Sequence, residues 1–229
     1  MEDMVRVGSL ARTYARISMV HYADAEKRAE TINGKTDFDE ISLLKDSFSD
    51  NCVVVVVFSG MALEAYFNDY IADRIGDKIY YENFDMLRTT GKMQLIAEFI
   101  LKEKLDKGDR LFQLVDRLFR LRNSYINNKS ENGRKYGKKE LPKEEDRKEP
   151  DFDGWVAGLK KEVEQELASA REALMALCET LKWIETKDRY SHALFSVLGA
   201  DAYSYLEKEI KEKISRVQKE FGIPQIKND

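Results

Sequence analysis

Apolar positions recur every three to four residues along most of the chain, which is the spacing of one face of an α-helix. Gly, Asn and Pro interrupt this pattern and divide the chain into separate predicted helices. Their order predicts an all-α fold, an antiparallel up-down helical bundle with an N-terminal helix and a C-terminal helical extension. The predicted helices cover 3–31, 51–75, 93–105, 109–129, 154–186, 188–198 and 200–221.

The second predicted helix contains a run of valines, VVVVVF at 53–58, that resembles a buried strand because β-branched residues favour strands. No turn residue separates this run from MALEAYFNDYI, which has helical periodicity. Length therefore favours one helix that begins at Asp50 or Asn51, both good N-caps, and ends near Ile75. Because this helix is apolar nearly all round, we expect it at the centre of the bundle.

Two segments lack a clear helical pattern. Residues 35–48 are predicted to form a loop or a short helical turn. Residues 130–150 hold Gly, Pro and a dense run of charges, which is typical of an exposed, mobile loop. We place the bundle at 1–186 and the C-terminal helical extension at 187–229.

The composition suits long amphipathic helices and argues against a β-sandwich, a barrel or a disordered chain. Gly and Pro number only 12 and 3, and charged residues make up 35% of the chain, above the usual share of about 25%. The longest purely apolar run, 52–58, is far shorter than the about 20 residues that span a bilayer. No signal-peptide core follows the acidic start, so we expect a cytoplasmic protein without a membrane partner.

Side chains that commonly carry catalysis are few. Cys52 and Cys178 have no CxxC spacing and lie in apolar helical patterns, which predicts buried thiols in a reducing compartment. The two histidines, His21 and His192, are too few for a multi-histidine metal cluster. A Gly-rich phosphate loop, GxSxG and HExxH are all missing. We therefore predict neither a metal nor another cofactor.

One arginine falls inside an apolar helix face. On a wheel of helix 109–129, at about 100° per residue, Arg122 lies near the middle of the apolar arc. A buried guanidinium without a partner costs several kcal/mol, so Arg122 needs an anionic partner or a water-filled cleft. The residues within about 40° of it on the wheel are Leu111, Val115, Leu118 and Ile126.

A carboxylate suited to this arginine occurs in the second helix. Glu64 lies within the apolar stripe of that helix, and the planar fork of arginine suits a carboxylate. We therefore predict that Glu64 and Arg122 form a direct buried pair. The alternative is that one or both side chains extend along their stems to water.

Positive charge is concentrated around the same helix. Residues 107–139 contain ten basic and three acidic residues, a balance of +7 in a chain whose net charge is −4. Such a concentration suits an anionic partner, RNA among them, and a solvated face that complements acids elsewhere in the bundle is an equal alternative. The predicted RNA-binding residues are Arg117, Arg120, Lys129, Arg134 and Lys135.

Two stretches resemble a known superfamily. The run LRNSYINNK at 121–129 resembles the signature helix of HEPN domains, and FSGMALEAYFNDYI at 58–71 is similar to the long helix that precedes it in that superfamily. The order of helices also agrees over roughly 50–186. The resemblance implies an all-α bundle and frequent homodimerisation. It also implies metal-independent RNA cleavage where an arginine, usually followed by a polar residue, is completed by a histidine after four to six intervening residues.

The chain departs from this motif where the histidine should fall, because positions 127 to 129 are Asn127, Asn128 and Lys129. In the family, the histidine is thought to activate the ribose 2′-hydroxyl or protonate the leaving group, while the arginine steadies the phosphate. An amide does not exchange protons near neutral pH, so Asn127 can hold RNA but cannot act as a general base. The tyrosine that some antitoxin-regulated members carry is also missing. Arg122 and Asn123 match the motif, and Asn127 makes it degenerate.

A second arginine and histidine show the same spacing by chance. Arg16 and His21 are separated by four residues, but Ile17 stands where the motif has a polar residue. We interpret His21 as a residue of a helix face that precedes the HEPN-like region. His192 has no matching arginine.

Three interpretations follow. The first is a HEPN-like, RNA-associated protein without catalytic activity, an RNA-binding or interaction module in a defence or toxin–antitoxin setting. It is expected to be a homodimer, with an antitoxin-like protein as a further partner. The second is an active ribonuclease toxin in which Arg122 acts with another proton-transfer group, such as His21. The third is a scaffold without a nucleic-acid role that grips a partner helix with the apolar stripe of 200–221.

Overall fold

The computed structural model describes residues 9–127, 152–188, 191, 193–199 and 206–223. Within these ranges every regular element is a helix, so the predicted all-α class is confirmed, and the valine run is helical. The predicted loop at 130–150 lies outside the described residues. The helices are α1 (Ser9–Asn33), α2 (Phe38–Ile75), α3 (Asp77–Asn83), α4 (Thr89–Leu95), α5 (Arg110–Ile126), α6 (Phe152–Lys187), α7 (Ala193–Leu198) and α8 (Lys208–Glu220).

α2 starts three turns earlier than the sequence pattern predicts. It begins at Phe38 rather than at Asp50 or Asn51, so the loop or short helical turn expected over 35–48 is wrong from residue 38 onwards. The helix then continues without a break to Ile75, the predicted end.

Two features explain this early start. The carboxylate of Asp37 accepts a hydrogen bond of 2.9 Å from the amide of Glu40, which satisfies one of the free amides at the N-terminus of α2. Ile41 and Phe48 are fully buried, seven residues and therefore two turns apart. The first turns of α2 thus contribute to the core, but most of their residues are polar, so the apolar pattern does not reveal the helix there.

α2 is the central helix, as expected for a helix that is apolar nearly all round. It packs against α1, α5 and α6, and buried side chains of all four belong to one hydrophobic cluster. α1 is antiparallel to α2 because only residues 34–37 connect them. Between them Ser18 donates to the Val55 carbonyl at 3.1 Å, and its Oγ lies 2.6 Å from Oγ of Ser59. Both serines are fully buried, so the two backbones approach closely.

The segment after α2 differs from the single helix predicted at 93–105. Helix α4 begins at Thr89, widens into a π-helical turn at Ile96–Leu101 and ends there. Lys102 adopts the left-handed conformation with φ 57°, and a residue in this conformation cannot continue a right-handed helix. The helix therefore ends four residues before the predicted end.

α5 and α6 lie close to their predicted ranges of 109–129 and 154–186. Asp109 occupies the N-cap of α5, but its carboxylate accepts a hydrogen bond of 2.8 Å from the Asp106 amide and caps the preceding turn instead. Arg110 of α5 forms a two-pronged pair with Glu179 of α6, with N–O distances of 2.6 and 3.0 Å. The pair links the two helices at the surface.

The C-terminal helices pack against α1 and add residues to the same core. They start later than predicted, at Ala193 and Lys208, and residues 200–205 lie outside the described residues. In α8, Ile214 and Val217 are buried within the chain. The apolar stripe that the scaffold interpretation reserves for a partner is therefore used internally over the part that the structure describes.

Length and composition would allow α2 to cross a membrane, although its purely apolar run is short. In the most apolar 18-residue stretch of α2, 50% is buried inside the bundle. Central helices of soluble bundles share these properties, so the hydropathy of α2 does not by itself place it in a membrane.

Candidate functional site

The predicted pair between α2 and α5 is present. Nη1 of Arg122 lies 3.0 Å from Oε2 of Glu64, and the two side chains are 19% and 32% exposed. Both side chains are only partly buried, so the predicted direct contact is confirmed but the predicted full burial is not. The alternative in which the two side chains extend separately to water is wrong.

A glycine of α2 makes room for the arginine. A Cβ on Gly60 would lie 2.7 Å from Cδ of Arg122, closer than side-chain atoms can approach. The stem of Arg122 therefore rests on the backbone of α2 one turn before Glu64. Its guanidinium carbon lies 5.6 Å from the centre of the Phe119 ring, and its Nε is buried without a hydrogen-bond partner. Sequence reasoning missed Gly60, although a glycine inside an uninterrupted helix was a usable signal.

A second buried polar group lies beside this pair. Lys92 of α4 is only 2% exposed, and its Nζ donates to Oδ1 of Asn68 at 2.7 Å. Asn68 follows Glu64 by four residues on α2, so the two side chains occupy one face. Burial lowers the pKa of Lys92, while the negative charges of Glu64 and Asp85 partly oppose this shift. No signal in the sequence identified Lys92, because its helix is too short to show a periodic apolar face.

Tyr80 of α3 completes the cluster. Its hydroxyl donates to Oδ1 of Asn68 at 2.7 Å and lies 3.3 Å from Oδ1 of Asp85. Burial, and then the Asp85 charge, raise the pKa of Tyr80. Nζ of Lys92 is 5.6 Å from the centre of the Tyr80 ring. The C-terminal half of α2 thus takes part in a polar cluster, which consists of Glu64, Asn68, Tyr80, Lys92 and Arg122.

The outer face of α5 carries the other motif residues. Asn123 and Asn127 are exposed, as are Arg117 and Arg120. At about 100° per residue these four side chains fall between about 100° and 220° from Arg122. Arg120 pairs with Asp116 on the same helix, whereas Arg117 makes no ion pair within the described part of the chain. The other predicted RNA-binding residues, Lys129, Arg134 and Lys135, lie outside the described residues.

The structure does not bring the three motif residues together. Arg122 points into the bundle toward Glu64, while Asn127, about 140° further round the helix, stands at the exposed C-cap of α5. A general base must lie within about 3 Å of the proton that it takes. Arg122, Asn123 and Asn127 therefore do not form a catalytic constellation within one chain.

His21 lies far from the pair as well. Its Nδ1 is 2.6 Å from Oδ1 of Asn51, which precedes Glu64 by thirteen residues on α2. Thirteen residues of helix correspond to about 20 Å along the axis. His21 thus cannot transfer a proton at Arg122 of the same chain, and His192 lies outside the described residues.

The two cysteines are buried free thiols, as predicted. Burial raises the pKa of Cys52 to about 12, and that of Cys178 to about 12, which suppresses the nucleophilic thiolate. Among the described residues, no group of three His, Cys, Asp or Glu side chains is placed to hold a metal ion.

No family model, curated protein or solved structure matches this chain. The resemblance to HEPN domains therefore rests on residues 58–71 and 121–129 and on the order of the helices. In the described fold the long α2, the short α4, α5 and the long α6 occur in this order, with the additional short helix α3 between α2 and α4.

Proposed function

We propose that this chain is a HEPN-like RNA-binding module without ribonuclease activity, working in a defence or toxin–antitoxin setting. The observation that carries the proposal is the opposite placement of two motif residues on α5. Arg122 is held on the inner face by Glu64, and Asn127 stands on the outer face among exposed polar and basic side chains. The arginine thus stabilises the bundle, and the outer face is free for a ligand.

The chemistry of this outer face suits a nucleic-acid backbone. Guanidinium groups bind phosphate oxygens, and amide side chains donate to phosphate and ribose oxygens. Arg117, Arg120, Asn123 and Asn127 offer both kinds of donor on one exposed helix face. Residues 107–139 carry a balance of +7 in a chain of net charge −4, and such a concentration of positive charge in the sequence attracts an anionic ligand.

The proposal includes a homodimer, because the exposed residues Asn123 and Asn127 of α5 offer a symmetric contact in which two motifs meet. Tyr125 on the same helix is partly buried against the core and contributes only its exposed part to such a contact. An antitoxin-like protein is the further partner that the resemblance suggests. Sedimentation measures the first point, and a mass of one chain, 26.6 kDa, at tens of micromolar would contradict it.

Binding of a fluorescein-labelled single-stranded RNA, followed by anisotropy, tests the proposal. We expect salt-dependent binding by the wild-type protein, because each phosphate contact releases counterions. The double variant Arg117→Gln with Arg120→Gln should weaken binding by about tenfold or more and flatten the salt dependence. The matched control, Lys211→Gln with Lys219→Gln, removes the same charge from the exposed face of α8 and should bind as the wild type does. Equal weakening by both double variants, or no binding at low salt, would contradict the proposal.

The ribonuclease interpretation loses its intrachain proton donor, because Asn51 holds His21 about 20 Å from Glu64 along α2. The scaffold interpretation loses part of its partner surface, because Ile214 and Val217 are buried against the bundle. The RNA-binding interpretation therefore has the most support from the described residues.

A further inference from the structure

The start of α2 and the start of α6 enclose a cleft of about 180 Å³. Phe38 and Phe152 line it, and both of their rings contact Trp155, with ring centres 5.7 and 5.4 Å apart. Phe152 is 55% exposed and Trp155 is 51% exposed. Three aromatic rings thus cluster at the surface instead of entering the core, which is unusual for side chains of this size.

The border of this cleft is acidic. Asp37, Asp39 and Asp153 line it beside the aromatic rings. Lys35, two residues before Asp37, is paired with Glu40 at 2.9 Å and does not line the cleft. Among the described lining residues there is no cationic side chain. Asp37 is used as the N-cap of α2, whereas Asp39 and Asp153 lie in the first turns of α2 and α6, where the helix N-termini offset part of their charge.

The cleft lies far from the polar cluster in the C-terminal half of α2. Phe38 and Glu64 are twenty-six residues apart on one helix, which corresponds to about 39 Å along its axis. The two regions therefore do not share a ligand. The carboxylates also repel phosphate groups, so the cleft suits neither RNA nor an anionic lipid surface.

We propose that this aromatic cleft binds an arginine or lysine side chain from a basic segment of a partner protein. A cation placed against aromatic faces is attracted by the ring electrons, and guanidinium groups also stack on the rings. Asp39 and Asp153 then provide acceptors for the N–H groups of the bound side chain. The charge of the cleft selects a basic partner over an acidic one, and its volume admits one or two side chains, which indicates a short linear segment.

The inference is independent of the proposed RNA binding, because it concerns different residues and a ligand of opposite charge. Failure of one test thus leaves the other unaffected.

Trp155 does not line the cleft itself, but its ring contacts the lining residues Phe38 and Phe152, so its fluorescence reports on their surroundings. The chain has two tryptophans, so Trp183→Phe leaves Trp155 as the single reporter. We expect saturable quenching or a spectral shift on titration with acetylated, amidated hexa-arginine, and no change with hexa-glutamate of the same length. Labelled single-stranded RNA, used as a third probe, should also leave Trp155 unchanged.

Matched variants in this background identify the carboxylates. Asp39→Asn with Asp153→Asn should weaken hexa-arginine binding by about fivefold or more. Glu82→Gln with Glu164→Gln removes the same charge from exposed positions on α3 and α6 and should leave binding unchanged. Circular dichroism of each variant establishes that the helices are retained.

Several results would overturn the inference. They are the absence of saturable binding, equal weakening in both double variants, and equal binding of hexa-glutamate. A change in Trp155 fluorescence with protein concentration alone, together with a rising sedimentation mass, would assign the cleft to a second copy of the chain and overturn the basic partner.

Discussion

Arg122 lies across Gly60, with its Cδ 2.7 Å from the place where a Cβ on that glycine would stand. The contact allows the guanidinium to reach Glu64 one turn further along α2. Because the arginine stem takes the space of a side chain, the identity of residue 60 determines how closely Arg122 approaches α2.

Gly60→Ala should therefore destabilise the protein. Alanine favours the helix by about 0.5–1 kcal/mol over glycine, but overpacking against a buried stem costs about 1–3 kcal/mol. We expect a net loss of about 1 kcal/mol in the free energy of unfolding, measured by urea denaturation. The matched control is Gly158→Ala in α6, where a Cβ meets nothing within 4 Å.

Gly158→Ala should stabilise the protein by about 0.5–1 kcal/mol, because only the helix propensity changes there. If the two substitutions shift the urea midpoint in the same direction and by the same amount, the contact at Gly60 is unimportant for stability.

The ion pair itself is expected to contribute to stability. Glu64→Ala leaves a largely buried guanidinium without its carboxylate, and we expect a loss of about 1–2 kcal/mol, reduced by the 32% exposure of the Glu64 side chain. A double-mutant cycle with Arg122→Met isolates the pairwise part, expected at about 1 kcal/mol. A coupling energy near zero would show that the two side chains act independently.

A surface pair provides the comparison. Glu179→Ala breaks the two-pronged contact with Arg110, whose side chain is 68% exposed. The two glutamates are equally exposed, at 32%, but Arg110 is far more exposed than Arg122, which is at 19%. Water therefore solvates the guanidinium that Glu179→Ala leaves behind, so this variant should lose less stability than Glu64→Ala.

The contact between α1 and α8 should respond to pH. Burial, followed by the neighbouring Glu220 carboxylate, raises the pKa of Glu26 to about 6 from its ordinary 4.5, while Arg216 opposes the shift. Tyr22 donates to Glu220 at 3.1 Å, and Arg171 lies 3.1 Å from the same carboxylate. A raised pKa means that the folded protein favours the protonated carboxyl. The stabilising contribution of Glu26 is therefore complete below pH 4.5 and is lost as the pH rises through about 6.

Glu26→Gln, which resembles the protonated carboxyl, tests this sign. At about pH 7.5 the variant should be more stable than the wild type by about 1 kcal/mol, and at about pH 5 the two should be nearly equal. Glu30→Gln, at an exposed position one turn along α1, should show no such difference between the two pH values. A Glu26→Gln variant that is less stable than the wild type at the higher pH would contradict the prediction.

Restoring the histidine of the motif should not restore cleavage. Asn127 stands at the C-cap of α5 on its outer face, so Asn127→His places an imidazole in solvent, away from Arg122. We expect a labelled RNA incubated with this variant to remain full length on a denaturing gel. Fragments that disappear when Arg122→Met is added would show that the two residues do meet, for example across a dimer.

Helical periodicity predicted those parts of the fold and site that depend on one helix face. It located Arg122 in the apolar arc of one helix and Glu64 in the apolar stripe of another. Because the two charges are opposite, the simplest arrangement is a direct contact between them. It did not predict the start of α2, because polar residues after Asp37 hide the buried Ile41. Helix caps and single core positions leave a weaker pattern than a continuous stripe.

The rest of the cluster depends on contacts between distant segments. Lys92 lies in a helix of seven residues, too short for periodicity to show that its amine is buried against Asn68. Gly60 matters only because of what packs on it from α5. The separation of His21 from Arg122 likewise depends on tertiary contacts, because His21 of α1 contacts Asn51 while Arg122 of α5 contacts Glu64, at a different level of α2.

The most direct test recovers the RNA that the protein has bound. Labelled single-stranded RNA is incubated with a stoichiometric excess of the wild-type protein, the complex is retained on a filter, and the retained RNA is resolved on a denaturing gel. An RNA-binding module without ribonuclease activity predicts that the retained fraction contains RNA of full length. Retained RNA that is cleaved in the wild type but intact with Arg122→Met, or a filter that retains no RNA at all, would contradict it.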